Sequence, residues 1–560
     1  MKKIVMRSVR AALQLIPKTL KDKLKQNERL TGLYVRSVRK SGLFFDAPSP
    51  KQTQALYNHW LEVNESAFSD SITKIGEWQA VIFGTDNQGV TEENTKTLGV
   101  KTCLITGELA PGAIEKKISL LDDRLPTLLL NGGDLLESSA IYHLLKALKD
   151  NDLVYCDTDE LSSNGTKTSP RFLPSWNPEL QYSTGYINSG VMIKTSRLKS
   201  LHISNQTTIA EVITELSLSI DDLVVNHMPL PLVHLSVTEN NEAKSLERVK
   251  MVIERHSTAT VELDEKFNVN RLCWPNTNPL VSLIIPTKNG KTLVKACIES
   301  ILEKTTYKNY EILLIDNGSD EQESIEYFDY LDTLDKVRVL RYPAPFNYSA
   351  INNFGVEHAR GSILGLVNND IEVISPNWLT YMVGYVERES VGCVGAKLLY
   401  SDTRIQHAGV VLGYGGGAGH AHKNFPRFHN GYLKRIVATS NYSAVTAACL
   451  LVKRTHFDAV NGLNEKDLSV AFNDVDFCLR VKEAGYQNVY SPFAELYHHE
   501  SISRGPDTDP IKSKRFESEA AFMKNKWKSY IENDPAYNSN LSLMEGYKLD
   551  LDRGQKWPWG

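Results

Sequence analysis

Residues 281–289 read VSLIIPTKN, residues 312–320 read ILLIDNGSD and residues 363–373 read ILGLVNNDIEV. Each begins as an apolar run of strand type and ends in polar residues: Thr287-Lys288-Asn289, Asp316-Asn317 and Asn368-Asn369-Asp370. Pro286 stops the first run at Ile285. The runs Glu311–Ile315, Val337–Leu340 and Ile363–Val367 read as further strands. Between them lie two helical patterns. One runs from about Lys291 to Lys304, and the other from about Ser349 to His358 with Ala350, Ile351, Phe354 and Val356 on its buried side. Strands alternating with helices predict an α/β domain with a doubly wound, mostly parallel sheet. In that architecture ligands lie at the carboxyl ends of the strands. The three polar clusters fall there.

The rest of the chain sets bounds. It has 560 residues, 41% hydrophobic and 23% charged, which is globular composition with room for more than one domain. A net charge of −4 gives no case for nucleic-acid binding. The seven cysteines are scattered, odd in number and without a CxxC pair, as expected of reduced thiols in a cytoplasmic compartment. No apolar run is long enough to span a bilayer. Between Lys2 and Lys40 twelve basic residues face only Asp22 and Glu28, with apolar residues among them. This segment reads either as an interfacial helix on the inner face of a membrane or as a solvated basic helix. The expected organisation is a basic amphipathic segment (1–48), a first domain (49–262), a linker (263–278), a second domain (279–530) and a tail (531–560) that covers the surface or frays.

Three clusters in the second domain carry chemistry. A carboxylate at a strand end, as in Asn368-Asn369-Asp370, suits a hard divalent cation, Mg²⁺ or Mn²⁺, that bridges to phosphate. A turn after a strand has the same composition. Asn473-Asp474-Val475-Asp476 opens a helix, where a carboxylate is stabilised; an ordinary helix cap looks alike. In Tyr497-His498-His499 an imidazole could complete a metal site, and Arg504 could meet phosphate. A zinc site using His420 and His422 is a rival without cysteine support. The glycines of Gly413–Gly419 exclude a regular helix and suggest a loop near the acceptor side.

Seven stretches occur in order: Val281–Asn289, Ile312–Asp320, Asn347–Gly361, Leu366–Val373, Val445–Val452, Phe472–Arg480 and Tyr497–Gly505. Together they resemble the inverting GT-A glycosyltransferases of family 2, in the branch with bacterial O-antigen and rhamnan-type polysaccharide transferases. The resemblance implies a Rossmann-like GT-A fold and a nucleotide-sugar donor, UDP- or dTDP-linked, with rhamnose among the candidate sugars. It implies a growing or lipid-linked surface polysaccharide as acceptor. By position it implies that Thr287 and Asp316 contact the nucleotide, with Pro286 and Asn289 shaping the pocket. Asn368, Asn369 and Asp370 would form the D-x-D-type motif, with Asp370 as metal ligand. Asp474 would be the catalytic base and His498 the second metal ligand, with His499 as alternative. Asn368 stands where the motif often has aspartate, Asn473 where an acid is usual and Ala447 where glycine is common.

The first domain resembles the same family more faintly, through Leu128–Leu136, Leu153–Glu160 and Phe172–Leu180, as in tandem two-domain members. No strand-Pro-Thr-x-Asn opening precedes these stretches, and no acidic base motif stands near Thr208–Asp222. The expectation is a degenerate GT-A-like domain. A second active centre using Asp134 with Asp157 or Asp159 is the rival, and a solvated turn is the plain reading of Asp157, Asp159 and Glu160. For the whole chain the alternatives are a catalytically dead GT-A scaffold or carbohydrate-binding protein, and a nucleotidyltransferase. The last needs a glycine-rich basic loop after the first strand, which Pro286-Thr287-Lys288-Asn289-Gly290 is not.

Overall fold

The computed structural model describes residues 50–64, 76–84, 86–110, 112–162, 164–204, 207–236, 241–499, 510–544 and 546–551. The basic segment 1–48 and Arg504 lie outside the described residues. The first half supplies β1 (Gln79–Phe83), β2 (Thr102–Ile105), β3 (Pro126–Asn131), β4 (Leu135–Leu136), β5 (Leu153–Leu161), β6 (Lys167–Arg171), β7 (Val191–Lys194) and β8 (Val225–Leu235). A hairpin of β9 (Thr260–Asp264) and β10 (Val269–Cys273) follows. The second half supplies β11 (Val281–Thr287), β12 (Tyr310–Asp316), β13 (Val337–Arg341), β14 (Ile363–Val367), β15 (Ile371–Val373) and β16 (Val391–Leu399). Then come β17 (Ile405–His407), β18 (Val410–Leu412), β19 (Ala418–His420), β20 (Ser440–Tyr442), β21 (Cys449–Lys453) and β22 (Gln487–His498).

The larger sheet runs β13-β12-β11-β14-β21-β16-β22-β15. It is parallel over its first four strands, reverses at β21, and regains the first direction at β16 and β22. Val281–Ile285 is buried throughout, as expected of a strand covered on both faces. The following helix, Lys291–Lys304, turns Val294, Cys297, Ile298 and Ile301 inward, a spacing that puts all four on one stripe. Asn347 caps the helix Tyr348–His358 by accepting from Ala350 N at 3.1 Å. That helix lies so close to the sheet that a Cβ on Gly355 would come within 2.5 Å of Ile284 Cγ2.

The smaller sheet runs β2-β1-β3-β7-β5-β8-β4. This order repeats β12-β11-β14-β21-β16-β22-β15 place for place. The reversed strand is β7 in one and β21 in the other. β6 lies antiparallel on β5 as β17 lies on β16. The short strands agree in register too, with Leu135 opposite His234 and Ile371 opposite His498. The two sheets are therefore two copies of one α/β topology.

Four sequence expectations change. Strand β11 continues through Pro286 to Thr287, which pair with Ile315 and Asp316. Its ladder with β14 ends at Ile284, so Pro286 needs no donor on that side. The expected linker contains part of the β9–β10 hairpin, with Val269, Asn270 and Leu272 buried. The tail does not fray up to its last described residue. Asp534, Asn538 and Asn540 are buried, because their side chains serve backbone groups and carboxylates that would otherwise be unpaired. Asp157 and Asp159 are not in a solvated turn. They are fully buried in β5, where Asp157 meets His227 Nε2 at 2.8 Å and Asp159 accepts from Tyr57 Oη at 2.5 Å and meets His234.

The halves are joined by polar contacts. Asn441 N donates to Asn177 Oδ1 and Asn177 Nδ2 to Asn441 O, both at 2.9 Å. Arg388 pairs with Glu179, and Phe172 N donates to Tyr432 Oη at 2.8 Å. The tail spans both: Leu412 N donates to Asp534 at 2.7 Å, while Asn538 Nδ2 donates to Asp157 at 3.0 Å and Asn540 Nδ2 to Pro229 O at 2.8 Å.

Candidate active site

The polar strand ends of the larger sheet meet. Asn369 Nδ2 donates to Thr287 Oγ1 at 3.0 Å, which ties the end of β14 to the end of β11. Asn368 accepts from Tyr348 Oη at 3.0 Å, and its amide lies 3.2 Å from His498 Nε2. Tyr348 Oη also reaches Ala447 O at 3.3 Å, and Ala447 N donates to Asp474 Oδ2 at 3.1 Å. A continuous chain of contacts thus runs from Asp474 to His498 and Asp370. Asn289, with φ 54°, holds the loop after β11 by accepting from Asp320 N and Glu321 N and donating to Asp320. Asp316 is buried and already engaged: Ser319 N donates to it at 2.9 Å and Arg341 pairs with it.

Asp370 and His498 fit a divalent cation. The register of β15 and β22 places them side by side, with Asp370 Oδ1 3.1 Å from His498 Nε2. That carboxylate oxygen is buried and receives no well-directed hydrogen bond. Gln406 Oε1 lies 2.6 Å from His498 Nδ1. An amide oxygen only accepts, so Nδ1 carries a proton, and an Nε2 without one is an acceptor shared between the Asn368 amide and the place facing Asp370. Two lone pairs facing at that distance repel unless a proton or a cation lies between them. Neighbouring ligands of an octahedral ion at about 2.1 Å would stand about 3.0 Å apart. With His498 protonated instead, the imidazolium outweighs burial and holds the Asp370 carboxyl below its ordinary value. Proton and metal therefore compete for one place. No group of three or more metal-ligating side chains occurs among the described residues. Because Gln406 fixes the tautomer, Gln406→Leu is expected to weaken Mn²⁺ binding about 10- to 100-fold, read by titration calorimetry. An unchanged affinity would remove Gln406 from the site.

Asp474 lies in the first turn of the helix Asn473–Glu483. Burial pushes its carboxyl above the ordinary value, against hydrogen bonds from Ala447 N, the Thr446 side chain and Val475 N. A raised carboxylate is a better proton acceptor. Asp476, two residues on, faces the other way. It is fully buried and binds Arg480 at 2.7 Å, Lys526 Nζ at 2.8 Å and Trp527 Nε1 at 2.9 Å. The acidic pair of the motif is thus split between the site and the docking of the helix Pro510–Lys526.

Other candidates do not join. His499 turns to Glu372 at 3.1 Å and Ser401 at 2.8 Å, away from Asp370. His420 packs edge-on against His407, and His422 accepts from Tyr432 N and stacks on Tyr547, so the zinc reading has no cluster. Gly413–Gly419 turns between β18 and β19; Gly417 lies beside the Phe472 ring, next to the start of the Asp474 helix. Tyr348, Gln406 and Arg341 were not assigned roles from sequence. Tyr348 lies within the quoted stretch Asn347–Gly361, whereas nothing near Gln406 or Arg341 marks them.

Residues 282–458 match the model of glycosyl transferase family 2, and this segment is a domain of that family. Among curated relatives, an uncharacterized protein of Sinorhizobium fredii is 42% identical over 437 residues, covering 74% of this chain and 48% of its own length. The O-antigen biosynthesis protein RfbC of Myxococcus xanthus is 31% identical over 418 residues, covering 70% of this chain and 31% of its own. The chain spans less than half the length of these two relatives. A solved structure of GalNAc-T7 with UDP, GalNAc and Mn²⁺ aligns at 14% identity and TM-score 0.39, over 51% of this chain and 55% of that one. No helix among the described residues is long and apolar enough to cross a membrane.

Proposed function

We propose that the chain is an inverting, divalent-metal-dependent glycosyltransferase. It would move a sugar from a UDP- or dTDP-linked donor to a growing or lipid-linked cell-surface polysaccharide. The observation that carries this is the Asp370–His498 pair, whose facing acceptors suit a cation, tied through Asn368, Tyr348 and Ala447 to a basic carboxylate at Asp474. The family match and the O-antigen relative support the reading.

In this mechanism Asp474 takes the proton of the acceptor hydroxyl. The hydroxyl oxygen bonds to the anomeric carbon as the bond from that carbon to the diphosphate breaks on the opposite face, so configuration inverts. Thr287, Asn369 and Asn289 shape the donor side. Asp316, with its oxygens engaged by Ser319 and Arg341, would position the nucleotide pocket. Asp370 and His498 would hold Mn²⁺ or Mg²⁺, which neutralises diphosphate charge.

The test is a calorimetric panel of nucleoside diphosphates and nucleotide sugars, with and without Mn²⁺, on the wild type and Asp370→Ala. The expected result is Mn²⁺-dependent binding of one nucleotide class, lost in the variant. A folded wild type that binds none with Mn²⁺ would favour a dead scaffold.

A further inference from the structure

The smaller sheet carries a cavity of about 500 Å³ at the carboxyl ends of β1 and β3. Its place in the repeated topology is that of the candidate active site in the larger sheet. The volume is within the range of small-ligand pockets, about 300–1,000 Å³. Leu433 and Lys434, from the second half of the chain, close one side.

The two reacting groups of the larger site have no working counterpart here. Asp134 corresponds to Asp370, since each directly precedes the short strand that pairs with β8 or β22. Its carboxylate is spent inside the protein: Asn131 N donates at 2.9 Å, Ser236 N at 3.1 Å, and Ser189 Oγ also donates. The helix Ile209–Ser219 corresponds to the Asp474 helix, as each lies between the reversed strand and the next parallel one. Counted from the helix start, Ala210 stands where Asp474 stands. The first acid of that helix, Glu211, is held by Arg248 at 2.9 Å and by its capping box with Thr208. Asp157 and Asp159 do not line the cavity.

The cavity has instead a cation with no carboxylate at ion-pair distance; Glu242 and Glu160 act on it only from farther off. Arg171 lines it and donates to Asn188 Oδ1 at 3.1 Å and Tyr186 O at 3.2 Å, both neutral. No carboxylate of the described residues forms an ion pair with it. Of the lining acids, Asp134 is engaged as above and Glu242 is taken by Lys434 at 2.6 Å. A planar guanidinium with neutral partners at a desolvated position is suited to bidentate contact with phosphate.

We propose that this cavity binds a nucleoside diphosphate without metal, with Arg171 supplying the positive charge that a cation would supply in the larger sheet, and without transfer because Ala210 cannot accept a proton. The placement rests on the larger site being the donor site.

The experiment is titration of the full chain in EDTA with UDP, dTDP, GDP and pyrophosphate. One nucleoside diphosphate is expected to bind, with affinity unchanged in Asp370→Ala and about 10- to 100-fold weaker in Arg171→Gln. Ser245→Phe, which fills the cavity from another wall and leaves Arg171 in place, is expected to abolish the same binding. Absence of binding in EDTA overturns the proposal. So does EDTA-resistant binding that disappears in Asp370→Ala or survives both cavity variants. Pyrophosphate binding as tightly as every nucleoside diphosphate overturns the nucleotide assignment. The Mn²⁺-dependent binding at Asp370 is read separately, so either site can fail without the other.

Discussion

Asp474→Asn is expected to lower turnover by about 10²- to 10⁴-fold, the usual worth of a positioned general base. Donor affinity should hold within about twofold, because Asp474 contacts Ala447 N and Val475 N rather than the Asp370–His498 pair. Single-turnover kinetics beside nucleotide titration would separate the two effects. The wild-type pH profile adds a second reading. Burial raises the Asp474 carboxyl above its ordinary value, and the reaction needs the carboxylate. Turnover should therefore fall as pH drops through a midpoint above the ordinary aspartate range, while remaining flat on the alkaline side of that midpoint. A variant with wild-type turnover would end the assignment of Asp474 as base.

Asp476→Ala is expected to act on stability instead, with a loss of about 3–5 kcal/mol. Removing one member of a buried charged cluster leaves its partners unpaired, and here these are Arg480, Lys526 and the Trp527 indole N–H. Chemical denaturation should show the loss, and limited proteolysis should open the helix Pro510–Lys526 first. If the variant kept wild-type stability and lost activity, Asp476 and not Asp474 would belong to the site. The pair makes a sharp contrast, since two aspartates separated by a single valine carry effects on different quantities.

The contrast also shows where sequence reading reaches. Strand ends are legible because apolar runs stop at polar clusters, and in the fold Thr287 lies beside Asp316 across the ladder and beside Asn369 through a hydrogen bond. The preference for His498 over His499 rests on the resemblance alone, without a physical reason in the sequence. The distinction depends on strand register, which turns one imidazole to Asp370 and the next to Glu372. Gln406 was invisible for the same reason, being brought to His498 by pairing across β17 and β16. Pro286 misled as a strand terminator because a strand end with one empty flank tolerates proline. Polar composition misled in the tail and at Asp157. Asparagines and aspartates usually mark solvent, but here they satisfy buried partners that lie hundreds of residues away in the chain.

That last feature has a bearing on how the molecule is made. Asp534, Asn538 and Asn540 follow both sheets in the chain yet fasten each half: Asp534 holds Leu412 of β18, and Asn538 and Asn540 hold β5 and β8. During synthesis each sheet can form as its own strands emerge, but the fastening residues leave the ribosome after all of these strands. The direct contacts between the halves, such as Asn441 with Asn177 and Arg388 with Glu179, can form before the tail emerges, whereas Asp157 gains its Asn538 donor only afterwards.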